Sequence, residues 1–146
     1  MFAIEVEAPE ESGNAAGDPV ETIGRIVIGD FEENFSIPLG FWDLSEYRQS
    51  WKRAYNVIKN SPHSRSCLMV AMTDPEQSNF LVCWPLYREN EEVHIQNSLI
   101  FLDELEADFD VEEPWLSVGP RRLLNEDGAE ISEWTASMES LREFFE

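Results

Sequence analysis

Seven carboxylates crowd one short stretch of the sequence: Asp103, Glu104, Glu106, Asp108, Asp110, Glu112 and Glu113, with no Lys or Arg between Leu102 and Trp115. Carboxylates at this density can collect a divalent cation, or they can attract a basic macromolecule. The run Asp108-x-Asp110-x-Glu112 superficially resembles the start of a calcium loop, but the position that needs Gly for its sharp turn holds Glu113, followed by Pro114. A nuclease built from these acids would work against itself, because the chain's net charge of -20 repels a phosphate backbone. A solvated acidic loop is the usual fate of such a run. Here Leu105, Phe109, Val111 and Trp115 are interleaved with the acids, which is how an interface combines anchor residues with charge. The expectation is a protein-docking face made of Asp103, Glu104, Glu106, Asp108, Phe109, Asp110, Glu112, Glu113 and Trp115, with Phe109 or Trp115 as anchors.

Catalytic chemistry finds no such foothold. There is no G-x-S-x-G elbow, phosphate-binding loop, dinucleotide fingerprint or H-E-x-x-H pair. The two histidines, His63 and His94, stand thirty-one residues apart with no partner visible at the level of sequence. We expect no enzyme, no cofactor and no metal site.

Composition sharpens the docking expectation. The 146 residues fit one domain spanning 1–146, and 42% hydrophobic with 12% aromatic content marks a folded chain. Thirty acids stand against ten bases. Fourteen of those acids but only three of the bases lie from residue 101 onward, a net of -11 in the last third. Such charge excludes nucleic acid and anionic membrane as partners and calls for a basic one. The opening MFAIEVEAPE places Glu5 and Glu7 where a signal peptide needs a basic start. A cytoplasmic location is therefore expected, with Cys67 and Cys83 as buried free thiols and a monomeric chain.

The elements that must hold this face are legible in outline. Phe2 to Glu7 alternates as a short strand, and residues 8–19 are a flexible loop rich in small residues. Gly24 to Ile28 and Glu33 to Ile37 form a hairpin turning through residues 29–32, ended by Pro38. Asp43 caps the next helix, Glu46 completes a capping box, and Trp42 with Tyr47 occupies the staple positions. Tyr47, Trp51, Ala54, Tyr55 and Ile58 recur at helical spacing, and Asn60-Ser61-Pro62 stops the helix.

Three strands follow. Cys67 to Met72 is continuously apolar. Asn79 to Tyr87 sets Phe80, Val82, Trp84 and Leu86 on one face, with Pro85 signalling an edge or a bulge. Val93 to Phe101 sets Val93, Ile95 and Leu99 together. Asn125-Glu126-Asp127-Gly128 turns into a strand around Ile131 to Trp134, and Ser137 caps a final helix. The fold class is α+β: one domain, a mainly antiparallel sheet, one long helix after the first hairpin and a short C-terminal helix.

The segments IVIGDFEENFSIPLGFWDLSEYRQSW, DPEQSNFLVCWPLYRENEEVHIQNSLIFLDEL and DGAEISEW resemble the immunity proteins (the CdiI family) of bacterial contact-dependent growth inhibition. The nearest type is the one paired with a ribosomal-RNA-cleaving nuclease toxin. The resemblance runs collinearly over roughly residues 25 to 146 and is thinnest from Glu104 to Asn125. It implies a cytoplasmic inhibitor that binds the basic C-terminal nuclease toxin domain of a large exported protein. The docking residues named above rest on charge and composition, not on the resemblance. A second expectation from the same acidity is a nucleic-acid-mimicking regulator of a DNA-binding host protein, and a third is a small metal-dependent enzyme.

Overall fold

The computed structural model describes residues 1–6 and 21–146; the loop expected at residues 8–19 lies outside the described residues. Strands β1 (Phe2–Val6), β2 (Glu21–Ile28) and β3 (Phe31–Pro38) form a three-stranded antiparallel sheet. The hairpin turns on Gly29 and Asp30 alone, tighter than the four residues the sequence marks out. Gly29 takes a left-handed φ of 60° there. Helix α1 (Leu44–Lys59) crosses to a second sheet made of β4 (His63–Ala71), β5 (Phe80–Glu89), β6 (Glu92–Gln96), β7 (Ser98–Phe101) and β8 (Glu133–Ser137). Helix α2 (Met138–Phe145) closes the described chain.

The local signals for α1 work as the sequence states them. The Asp43 carboxylate accepts the Glu46 N–H at 2.8 Å, and the Glu46 carboxylate accepts the Asp43 N–H at 3.3 Å. Trp42 meets Tyr47 edge-on at 5.2 Å. The apolar stripe is buried, and Tyr47 also ties the two sheets together. Its hydroxyl lies 2.7 Å from the Pro38 carbonyl at the end of β3, and it accepts the Met72 N–H just beyond β4 at 3.0 Å. Burial pushes this phenol up to about 12.

At the other end of α1, Arg88 is buried in β5 and donates to the Ile58 and Lys59 carbonyls at 2.6 and 2.8 Å. It thereby satisfies two acceptors that the helix terminus leaves open. Ser137 caps α2 by accepting the Ser140 N–H at 3.1 Å. Phe145 of that helix stacks on Tyr55 at 4.8 Å.

Two strand readings need correction. β5 is central, paired with β4 on one side and with β6 and β7 on the other, so Pro85 marks no edge. It sits where the ladder to the neighbouring strand breaks. That neighbour is split at Asn97 into β6 and β7, although Leu86 facing Ile95 and Cys83 facing Ser98 preserve a single register. The bulge lies in β4, between Met69 and Ala71. The strand expected around Ile131 to Trp134 is found at Glu133–Ser137, pairing with β6. Gly24 is required by packing: a Cβ there would come within 2.4 Å of the Phe35 ring. Cys67 and Cys83 are free and buried.

Alternate residues of β5 point into two covered faces. Trp84 lies on one, against Phe31, Phe35 and Trp134, and Arg88 on that side reaches the end of α1. Cys83 and Tyr87 lie on the other, where the Tyr87 hydroxyl donates to the Gly119 carbonyl at 3.2 Å. If Arg88 is the terminal clamp of α1, Arg88→Ala should lower stability by about 2–3 kcal/mol by leaving buried carbonyls unpaired. Denaturant unfolding measures this directly; an unchanged midpoint would contradict the role.

Candidate protein-binding site

The acidic stretch is the cover of that second face. After β7 the chain makes a 3-10 turn at Leu102–Glu104, crosses to a second at Pro114–Ser117, and packs that second turn against β4. Leu102, Leu105, Phe109, Val111 and Trp115 are half-buried against the core, and Pro114 and Val118 are buried. Phe109 and Trp115 thus pack partly against the core, helping to hold the segment down, and keep part of each ring at the surface. All seven carboxylates are exposed. The interleaving seen in the sequence is thus an amphipathic irregular segment, apolar side in and charged side out.

The seven acids do not share one task. Asp110 organises the backbone, its carboxylate accepting the N–H groups of Glu112 and Glu113 at 2.9 and 3.2 Å. Glu112 lies 3.6 Å from Arg53 of α1, an exposed pair. Glu106 and Asp108 take no hydrogen bond or ion pair from the described residues, and they border a concavity of the surface. This is a cleft of about 730 Å³ lined by Glu106, Asp108, Asp74 and Glu76 over Phe41, Leu102, Leu105, Phe109 and Val111. Sequence reasoning missed Asp74 and Glu76, which come from the β4–β5 turn, and Phe41, which precedes α1. They reach the cleft only through the fold. Asp74 also builds its own turn by accepting the Glu76 N–H at 3.0 Å.

Chemically the cleft can receive a long cationic side chain, with its methylene stem on the apolar floor and its head among carboxylates. Most of the chain's own cations are committed elsewhere. Lys59 pairs with Glu146 at 2.9 Å, Arg88 with the end of α1, and Arg121 with Glu133, whose carboxyl the Arg121 guanidinium holds below the ordinary range.

Among the described residues, no three His, Cys, Asp or Glu side chains converge to hold a metal ion. The histidines stay apart: His63 pairs with Glu89 at 2.8 Å, and His94 meets Thr135 at 3.0 Å.

A single α+β domain with an acidic, apolar-floored face and no catalytic constellation among its described residues defines a protein-binding module. The comparisons with known proteins give its family. The model of the CdiI N-terminal domain matches residues 37–144, and the chain belongs to the CdiI family of immunity proteins of contact-dependent growth inhibition. It is similar to the "Immunity protein CdiI" of Enterobacter cloacae subsp. cloacae, at 37% identity over 136 residues, covering 88% of this chain and 92% of that one. It is also similar to a chain of the CdiA-CT/CdiI toxin and immunity complex from Enterobacter cloacae. That match has a TM-score of 0.81 at 34% identity and covers 99% of this chain and 96% of the other. An immunity protein of this family inhibits a toxin and is not an enzyme.

The separate tasks of the acids can be resolved by substitution. Asp110→Ala should speed amide exchange at Glu112 and Glu113, at a local cost of about 0.5–2 kcal/mol as for a lost capping carboxylate. Asp108→Asn should leave those amides unchanged. Equal effects from both would contradict the division.

Proposed function

We propose that this chain neutralises the C-terminal toxin domain of its own contact-dependent growth inhibition system, in the cytoplasm, and that this toxin is a basic nuclease. The observation that carries the reading is the cleft, where Glu76, Glu106 and Asp108 surround an apolar floor on a protein of net charge -20. A nuclease must be basic around its active site to hold phosphates. The same Lys and Arg groups are then the natural occupants of an acidic cleft. The relative from Enterobacter cloacae is found in a complex of toxin and immunity protein, which supports a toxin as the partner class.

The acidity has a kinetic consequence. Complementary charge steers encounter and raises association towards roughly 10⁸–10⁹ M⁻¹s⁻¹ at low salt, against about 10⁵–10⁶ M⁻¹s⁻¹ for neutral surfaces. An inhibitor that must intercept a few toxin molecules before they act gains most from speed. Specificity then has to come from shape and from mismatched charge against other toxins.

The test is stopped-flow association with the toxin domain encoded beside this gene. The rate constant should fall steeply from low to physiological ionic strength. Combined Glu76→Gln, Glu106→Gln and Asp108→Asn should slow association by about tenfold without altering thermal stability. A rate indifferent to salt and to these substitutions would contradict the charge-steered reading.

A further inference from the structure

Among the described residues, strand β7 has a partner on one side only. It pairs with β5, while the next strand of the sheet, β8, pairs with β6 and stops at Glu133 opposite Gln96. The direction of its hydrogen-bonding groups follows from the ladder. Just past the strand, the Leu102 N–H donates to the Asn79 carbonyl at 3.1 Å. Bonded pairs alternate along an antiparallel ladder, so Ile100 and Ser98 turn their backbone groups to β5 and Leu99 and Phe101 turn theirs outward. The Phe101 carbonyl opens the 3-10 turn at Leu102–Glu104, and the Leu99 carbonyl receives only a long 3.3 Å bond from the Ser98 hydroxyl. Among the described residues, nothing pairs with the N–H groups of Leu99 and Phe101 or with most of the capacity of the Leu99 carbonyl, and these stay at the rim.

The side chains beside this rim are apolar and uncovered. Phe80 faces Phe101 across the strands with ring centroids 6.3 Å apart, and Val82 faces Leu99. Phe80, Leu99 and Phe101 are 47, 43 and 45% exposed. They share the face of Trp84, but the aromatic residues that cover Trp84 leave this end of the sheet bare. Natural edge strands are usually blunted by Lys, Pro or a bulge. Ser98–Phe101 has none of these.

We infer that the outer edge of β7 is a strand-addition site, on which an extended segment of the toxin domain pairs with Leu99 and Phe101 and lays apolar side chains on Phe80 and Phe101. This rests on the toxin reading above and adds to it a second contact, formed by backbone pairing. Charge chooses the occupant. Glu33 sits beside the patch through its 3.4 Å bond from Asn97, and Asp103 and Glu104 follow Phe101 directly. A second copy of this chain would bring another net charge of -20 to the same rim. A segment alternating apolar and basic residues fits both the patch and the acids around it.

The experiment is hydrogen exchange on the unmodified chain, free and bound to the toxin domain encoded beside its gene, with affinities measured in parallel for Leu99→Pro and Phe80→Ser. Leu99→Pro deletes an outward N–H without removing a bond to β5. The expected result is exchange at the Leu99 and Phe101 amides slowed at least about tenfold on binding, and affinity reduced at least about tenfold by either substitution. Tight binding with these amides unprotected and both variants unimpaired would overturn the strand-addition site while leaving the toxin reading intact. No binding by the unmodified chain would overturn both. Protection that appears without toxin and grows with protein concentration would assign the edge to self-pairing and overturn the inference. The exchange readout needs no variant to fold.

Discussion

The structure depends on covering both faces of β4 and β5. Helix α1 and the first sheet close one face around Trp84, and the irregular segment after β7 closes the other, where Tyr87 reaches Gly119. That second cover is the most acidic part of the chain. Each large apolar side chain fully buried contributes about 1.5–3 kcal/mol, so half-buried Leu105, Phe109, Val111 and Trp115 together with buried Pro114 and Val118 hold the segment against the repulsion of its own carboxylates. The segment does not depend on salt bridges to stay in place: among the described residues its one ion pair, Glu112 with Arg53, is exposed, and such pairs contribute little. Fastening by apolar contacts leaves the carboxylates free to face outward.

This arrangement explains why one stretch of sequence is both negative and sticky. Much of the stickiness is spent inward, on the sheet, while the floor of the cleft and the uncovered end of β5 and β7 stay apolar at the surface. The two surface features use different physics. In the proposed binding mode, carboxylates around the cleft govern encounter, acting over a Debye length of about 8 Å at physiological salt. The rim of β7, in the same proposed mode, acts only at contact, through directional backbone groups, and governs how long a partner stays. Both emerge from the same constraint, because the chain leaves β7 at Phe101 and turns at once into the acidic cover.

Local signals were legible in the sequence and tertiary ones were not. The capping box of α1, the Ser137 cap of α2 and the Asn125 turn, where Gly128 takes a φ of 80°, depend on residues within a few positions of each other. The α+β class followed from the order of those elements. Phe109 and Trp115 could be recognised as apolar among acids, but their partial packing against the core depends on a sheet face formed by residues at distant positions. Pro85 looks like an edge residue because it lacks an N–H, and only the split of its neighbour at Asn97 shows how a central strand tolerates it. Asp74 and Glu76 belong to a turn that carries no signal for a cleft until the fold places them beside Asp108.

Survival under toxin exposure tests the central claim most directly. Cells would express the toxin domain encoded beside this gene together with this chain, or with an unrelated soluble protein of equal negative charge. Specific neutralisation predicts survival with this chain and death with the charge-matched control. Death in both cases, with this chain present and soluble, would contradict the assignment of that toxin as its partner; survival in both would show that bulk charge alone protects and that neither the cleft nor the strand edge is needed.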